Sequence, residues 1–78
     1  MPDLEEKLAE KRETLQNLEQ KISKFQKAIE NPEAFSRHKE YYQEKMNELV
    51  QKREDLYQEI DKLENKKEME EKLYGQAV

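Results

Sequence analysis

Residues 29–36 read Ile29-Glu30-Asn31-Pro32-Glu33-Ala34-Phe35-Ser36 and form the one interior break in a chain of 78 residues that otherwise has the composition of helix. Pro32 cannot donate a backbone hydrogen bond and disfavours helical geometry at Asn31, so a first helix should end near Glu30. Asn31 can then serve as N-cap and Pro32 as the first residue of a new turn, and Ser36 is a second candidate N-cap. The stretch predicts a corner over about residues 31–38.

Apolar residues on both sides of this corner recur in alternating steps of four and three, the pattern of a coiled coil. Upstream the positions are Leu4, Leu8, Leu15, Leu18, Ile22, Phe25 and Ile29, and downstream they are Tyr42, Met46, Leu49, Leu56, Ile60 and Leu63. The pattern predicts an all-α fold, a two-helix antiparallel coiled-coil hairpin forming a single domain. We expect helix 1 over about residues 3–30, helix 2 over about residues 36–74 with its end at Gly75, and a frayed tail at residues 75–78.

Two cations, Lys11 and Arg53, occupy seam positions and decide the register of the hairpin. If Ile22 lies opposite Leu49, each cation faces an apolar residue and can lay its stem across the seam with its charge in water. A shift by one heptad would place the two cations opposite each other, where like charges repel. We therefore expect the first register, with Phe35 on the inner side of the corner.

The composition restricts the classes of function. The chain is 33% apolar and 44% charged, has no cysteine and a single histidine, His38, and contains no long apolar run. These properties predict no disulfide, no metal site, no cofactor and no membrane segment, and they suit a cytoplasmic protein. General acid–base catalysis needs a water-excluding pocket, for which a two-helix hairpin has no room, so we expect a chain that is not an enzyme.

Charge is unevenly distributed along the chain. Residues 20–39 hold five basic and two acidic residues, a net charge of +3 in a chain whose net charge is −4. The five cations are Lys21, Lys24, Lys27, Arg37 and Lys39. Exposed cations near a hairpin tip predict weak, salt-sensitive and sequence-independent contacts with the phosphates of nucleic acid. The alternative interpretation is a solvated helix face whose cations compensate the dipole at the end of helix 1.

Three residues beside the seam also have two interpretations each. Tyr41 lies off the seam near the tip, where it could stack on an unpaired base or pack against the corner beside Phe35. Val50 and Tyr57 widen the apolar stripe of helix 2. They either cover the edge of the hairpin core or form a docking face for a second hairpin or another protein domain.

Two short runs of sequence resemble the C-terminal coiled-coil domain of ABC-F ATPases, and the resemblance spans roughly Leu4 to Glu64. The corner Asn31-Pro32-Glu33-Ala34-Phe35-Ser36 is similar to the Asp/Asn-Pro-Glu-x-Phe/Tyr turn of that family. The run Leu56-Tyr57-Gln58-Glu59-Ile60-Asp61-Lys62-Leu63-Glu64 is similar to its Leu-Tyr-x-x-Trp-x-x-Leu-Glu run, with Ile60 in place of the usual Trp. The arms of seryl- and valyl-tRNA synthetases and the N-terminal helices of peptide-chain release factors have a similar pattern.

The resemblance implies a non-catalytic module that follows two ATPase domains and contacts nucleic acid or the ribosome. The sequence contains no Gly-x-x-x-x-Gly-Lys-Ser/Thr run, so it carries no ATPase site of that kind. We expect a monomer whose nucleic-acid-binding residues are the five tip cations and Tyr41, with the ATPase domains as further partners. The second hypothesis is a structural spacer, or a protein-interaction hairpin that uses Val50 and Tyr57.

Overall fold

The computed structural model describes residues 3–76, which form three helices in an all-α hairpin. Helix α1 spans Leu4–Ile29, α2 spans Pro32–Arg37 and α3 spans Lys39–Gln76. Helices α1 and α3 lie side by side and antiparallel, and α2 forms the corner between them. The molecule measures 64 × 20 × 15 Å along its principal axes. The predicted all-α hairpin is thus confirmed.

Helix α1 begins and ends where its sequence provides the necessary caps. The Asp3 side chain accepts a hydrogen bond of 2.8 Å from the Glu6 backbone amide, which satisfies one of the free amides of the first turn. At the other end, Asn31 is extended, with φ −81° and ψ 110°, as the residue before a proline should be. The observed bounds agree with the predicted helix 1.

The corner is more regular than predicted because residues 32–37 form a helix of their own. The Asn31 side chain caps α2 by accepting hydrogen bonds from the backbone amides of Glu33 at 3.2 Å and Ala34 at 3.3 Å. Pro32 occupies the first turn of α2, where a missing amide hydrogen costs nothing. The predicted roles of Asn31 and Pro32 are confirmed.

The predicted start and end of the long helix are corrected. The Ser36 hydroxyl donates to the Glu33 carbonyl at 3.2 Å, so Ser36 lies inside α2 and is not the cap of α3. His38, with φ −134° and ψ 37°, breaks the helix instead, and its carbonyl accepts from the Tyr42 amide at 3.0 Å. At the other end α3 continues through Gly75 to Gln76, so the helix does not end at Gly75. The remainder of the predicted frayed tail, residues 77 and 78, lies outside the described residues.

A single seam between α1 and α3 holds the hairpin together. Its buried side chains are those of Leu8, Leu18, Ile22, Leu49 and Ile60. Leu18, Ile22 and Leu49 form one cluster, against which three partly buried residues pack: Phe25, Met46 and Leu56. Each fully buried aliphatic side chain stabilises the fold by roughly 1.5–3 kcal/mol. Because so few side chains are buried, the seam is narrow, and each layer contributes a large share of the total stability.

The seam cations confirm the predicted register and show how each is accommodated. The Nζ atom of Lys11 lies 2.8 Å from Oε2 of Glu59, one residue from the seam residue Ile60 and far from Arg53. Lys11 therefore crosses the seam and presents its charge at the surface, as predicted. Arg53 is half-buried, and its Nε has no hydrogen-bond partner in the described part of the chain. A buried donor of this kind costs about 1–3 kcal/mol.

Aromatic rings close the seam at the tip. The rings of Phe25 and Tyr42 meet edge to face with centroids 5.5 Å apart, and Phe35 lies 6.4 Å from Tyr42. Phe35 is half-buried and faces inward, as predicted. Ring pairs at these distances hold the corner against the end of the hairpin.

The stem end of α3, near residues 69–74, is much less well covered. Met69, Leu73 and Tyr74 are 64%, 65% and 76% exposed. None of the helices formed by residues 3–76 has the length and apolar character needed to cross a membrane.

Candidate nucleic-acid interface

The five predicted phosphate-binding cations all lie on the surface near the tip. Lys21, Lys24 and Lys27 are exposed on α1, Arg37 is the last residue of α2, and Lys39 is the first residue of α3. Within residues 3–76 none of the five lies within ion-pair distance of a carboxylate. Their charges are therefore available to an external anion.

The stem differs because several of its cations are paired across the hairpin. Three cations of the stem bind carboxylates of the opposite helix: Lys11–Glu59 at 2.8 Å, Arg12–Glu64 at 2.8 Å and Lys67–Glu5 at 3.4 Å. These partly exposed pairs contribute little to stability, but they neutralise the stem cations locally. The stem also has lysines with no ion pair in the described residues, Lys7, Lys62 and Lys66, but the residues outside 20–39 carry a net charge of −7, so an approaching polyanion would be attracted to the tip and repelled by the stem.

Dipole compensation explains some of the tip cations and not others. Lys27 lies in the last turn of α1 and Arg37 in the last turn of α2, where positive charge is favourable. Lys39 lies in the first turn of α3, where a cation is unfavourable. Lys21 lies two turns from the end of α1, beyond the range of the effect. Dipole compensation therefore accounts for Lys27 and Arg37, whereas Lys21 and Lys39 fit the alternative interpretation only as solvated surface residues.

The structure does not bring the predicted cations together on one surface. Lys21 lines a groove along one flank of the hairpin, with the apolar residues Leu18, Leu49 and Leu56 at its base. The polar residues of that groove are Lys11, Thr14, Asn17, Lys21, Lys52, Asp55 and Glu59. Lys52 was not among the predicted site residues. The signal that could have identified it is its position three residues from the seam residue Leu49, which, with the antiparallel register, places it on the same flank as Lys21.

Tyr41 projects from the same end of α3 and remains largely exposed. Its ring lies 6.3 Å from the ring of Phe25 and 5.7 Å from that of Tyr42, yet 59% of the residue is accessible. The ring thus packs against Phe25 and Tyr42, whereas Phe35 contacts Tyr42. Tyr41 is held by neighbouring rings and still presents aromatic surface to solvent.

The Val50 and Tyr57 edge lies on the other side of the seam and joins the two helices. Val50 is half-buried and Tyr57 is 40% exposed. The Tyr57 hydroxyl donates to Oε1 of Glu19 at 2.9 Å. This hydrogen bond to a carboxylate, helped by partial desolvation, raises the pKa of Tyr57 above its ordinary value of 10.0. The edge therefore links α3 to α1 through this side-chain hydrogen bond.

The two runs that resemble ABC-F coiled coils occupy structurally distinct places. Residues 31–36 form the cap and body of α2. The second run lies in α3, where Leu56, Ile60 and Leu63 contribute to the seam and Tyr57 to the edge. Ile60, at the position of the usual Trp, is 7% exposed and belongs to the core.

The residues that the structure describes contain no candidate metal-binding site. Among residues 3–76 there is no group of three or more histidine, cysteine, aspartate or glutamate side chains able to hold a metal ion. His38 terminates α2 and is exposed.

Comparisons with protein-family models, with curated proteins and with solved structures give no match to this chain. The functional assignment therefore depends on the geometry and the charges of its own residues.

Proposed function

We propose that this chain is a non-catalytic, monomeric cytoplasmic module of ABC-F type that binds nucleic acid, free or within the ribosome, through its basic tip. The hairpin acts as a rigid arm and holds the tip away from whatever its stem is attached to. ATPase domains of the ABC-F kind are the proposed neighbours of the stem.

One observation carries the proposal: the tip cations are free of ion pairs in the described residues, whereas three stem cations are paired across the hairpin. Phosphate recognition needs mobile, unpaired cations on an exposed surface. The charge arrangement favours a polyanionic partner over a neutral one.

The number of free cations sets the expected salt dependence. Three to five phosphate contacts would release about as many counterions, so affinity should fall by roughly one to three powers of ten between 50 and 200 mM salt. No base-reading hydrogen bonds are implied, so binding should be weak and largely independent of sequence.

The test is fluorescence anisotropy of labelled RNA and DNA, single- and double-stranded, titrated with the protein at about 50 and 200 mM salt. The triple variant Lys21→Glu, Lys24→Glu, Lys27→Glu should abolish binding while circular dichroism shows that helicity is retained. The matched control is Lys7→Glu, Lys62→Glu, Lys66→Glu, which makes the same change in net charge with exposed stem lysines that form no ion pair in the described residues. Equal losses in both triple variants, or intact binding by the first, would refute the tip as the site.

A second candidate function is that of a spacer or protein-interaction hairpin. The observation that favours it is the shape, since a molecule 64 Å long and 15–20 Å wide separates its two ends efficiently. The interaction surface would be the partly exposed Val50 and Tyr57 edge. Self-association in sedimentation experiments that is lost in Tyr57→Ala and kept in the triple tip variant would support this function.

A further inference from the structure

We infer that a single strand of nucleic acid lies along one flank of the hairpin, where its phosphates contact Lys21, Lys24 and Lys52 and a base stacks on Tyr41. These four residues are called the lysine flank. The inference rests on the function proposed above and specifies both the surface and the form of the ligand.

Heptad spacing places the members of the lysine flank on facing rows of the two helices. Residues three and four apart lie on the same face of a helix. One row of α1 is Thr14, Asn17, Lys21 and Lys24, and one row of α3 is Tyr41, Lys45, Glu48, Lys52, Asp55 and Glu59. The shared groove joins these rows, since Thr14, Asn17 and Lys21 line it together with Lys52, Asp55 and Glu59.

Charge along the groove changes sign toward the stem. Near the tip, Lys21, Lys24 and Lys52 have no carboxylate within ion-pair distance in the described residues, whereas Lys45 lies 3.6 Å from Glu48. Farther from the tip the groove is lined by Asp55, Glu59 and Lys11, and the charge of Lys11 is offset by its ion pair with Glu59. A polyanion is therefore attracted to the segment between Tyr41 and Lys52, which are eleven residues or about 16 Å apart along α3.

Tyr41 lies at the tip end of this segment and favours a strand with unpaired bases. Its ring contacts Phe25, which is one helical turn from Lys21, so the aromatic surface and the cations are neighbours. Its ring also packs against that of Tyr42, and 59% of the residue is exposed. Bases in a duplex are stacked on one another, whereas an unpaired base can stack on a tyrosine.

Two of the other predicted cations, Lys27 and Lys39, lie away from this surface. Lys39 lies seven residues before the seam residue Met46, so it continues the seam line at the start of α3 and does not share the row of Lys52. Lys27 is nine residues from the buried Leu18, or two and a half turns, and so lies on the outer side of α1. A strand in the groove would not contact either lysine.

The experiment compares single-residue variants on the same helix against an oligonucleotide, its duplex, and the RNA equivalents of both. Lys52→Glu and Lys39→Glu are a matched pair, because both lysines are exposed in α3 and neither forms an ion pair in the described residues. Tyr41→Ala removes the stacking surface, and Tyr41→Trp should restore it. Circular dichroism verifies that each variant is folded.

We expect tighter binding to single strands than to the duplex, and a loss of about five- to hundredfold in Tyr41→Ala for single strands only. Lys52→Glu should weaken binding more than Lys39→Glu. If Lys39→Glu weakens binding as much as Lys52→Glu, or if Tyr41→Ala binds single strands normally, the lysine flank is not the surface, although binding through the tip would stand. If the unaltered protein binds none of the probes, both the proposed function and this inference are wrong.

Discussion

Tyr57 illustrates how one side chain couples the fold to pH. Its hydroxyl joins α3 to α1 by donating to the Glu19 carboxylate at 2.9 Å. A nearby carboxylate favours the neutral phenol, so the pKa of Tyr57 is raised in the folded state. The folded protein consequently holds this proton more tightly than the unfolded chain. The bond therefore contributes fully below pH 10.0 and is lost as the pH rises through the higher folded-state pKa.

We predict that Glu19→Gln lowers the pKa of Tyr57, because an amide removes the negative charge that opposes ionisation of the phenol. The measurement is a titration of tyrosinate by near-ultraviolet absorbance, with Tyr57→Phe identifying the step that belongs to Tyr57. The control is Glu13→Gln, an exposed residue of α1 with the same change in charge and no hydrogen bond to Tyr57. A Tyr57 step at the same pH in both glutamine variants would contradict the assignment of Glu19.

Single residues also show where sequence reasoning was sufficient and where it was not. The positions of Lys11 and Arg53 could be predicted because like charges cannot share a seam layer. Counting basic residues along the chain identified Lys21 but missed Lys52, since the two lysines are far apart in sequence and meet only through the antiparallel register. The different positions of the tip cations around the hairpin were not predicted for the same reason, because they too depend on how the helices pair.

At the scale of elements, the corner is a capped helix and not an irregular loop. Its sequence contains each signal needed for a short helix: the Asn31 cap, Pro32 in the first turn, and Glu33 near the positive end of the dipole. The prediction used the roles of Asn31 and Pro32 but assigned the whole stretch to a corner, and six residues are too few for a stable isolated helix. Contacts of Phe35 with Tyr42 stabilise α2 from outside.

The boundaries of α3 could not be predicted for related reasons. Ser36 has the chemistry of an N-cap, but its hydroxyl binds the Glu33 carbonyl within α2. Gly75 permits a helix to end and does not require it, since glycine inside a helix costs only about 1 kcal/mol. Both errors arise from local signals that are compatible with two backbone conformations.

We predict that Asn31→Ala destabilises the hairpin by about 1 kcal/mol, because the amides of Glu33 and Ala34 lose their acceptor. Urea unfolding followed by circular dichroism measures the loss. Asn31→Asp should retain most of the stability, since its carboxylate can accept the same hydrogen bonds at the positive end of α2. If alanine and aspartate are equally destabilising, the cap is not the source of the effect.

At the scale of the whole molecule, the hairpin is a long arm with one narrow core. The buried residues form one row along the interface between α1 and α3, from Leu8 toward the stem to Leu49 nearer the tip. No second layer lies behind this row in the described residues. The heptad pattern predicted this arrangement because it specifies both the seam and the partner face. Near the end of α3, Met69, Leu73 and Tyr74 lie outside the seam and contribute little to it.

We predict that Leu49→Ala destabilises the protein by about 2–5 kcal/mol, because it removes buried methyl groups and leaves a cavity in the Leu18 and Ile22 cluster. Leu73→Ala, in the same helix, should change stability by less than about 0.5 kcal/mol. The two residues form a matched pair, since they are 5% and 65% exposed. Thermal and urea unfolding of both variants give the values.

The same unfolding data test whether the core belongs to one chain. A seam formed entirely within the hairpin predicts an unfolding midpoint that does not depend on protein concentration, since no association equilibrium is linked to folding. If Leu73→Ala is as destabilising as Leu49→Ala and the midpoint rises with concentration, then Leu73 is covered by a second copy and the hairpin is not monomeric. A concentration-independent midpoint together with a large effect of Leu49→Ala alone would instead mean that the arm folds by itself. The tip could then be tested for nucleic-acid binding on the isolated chain.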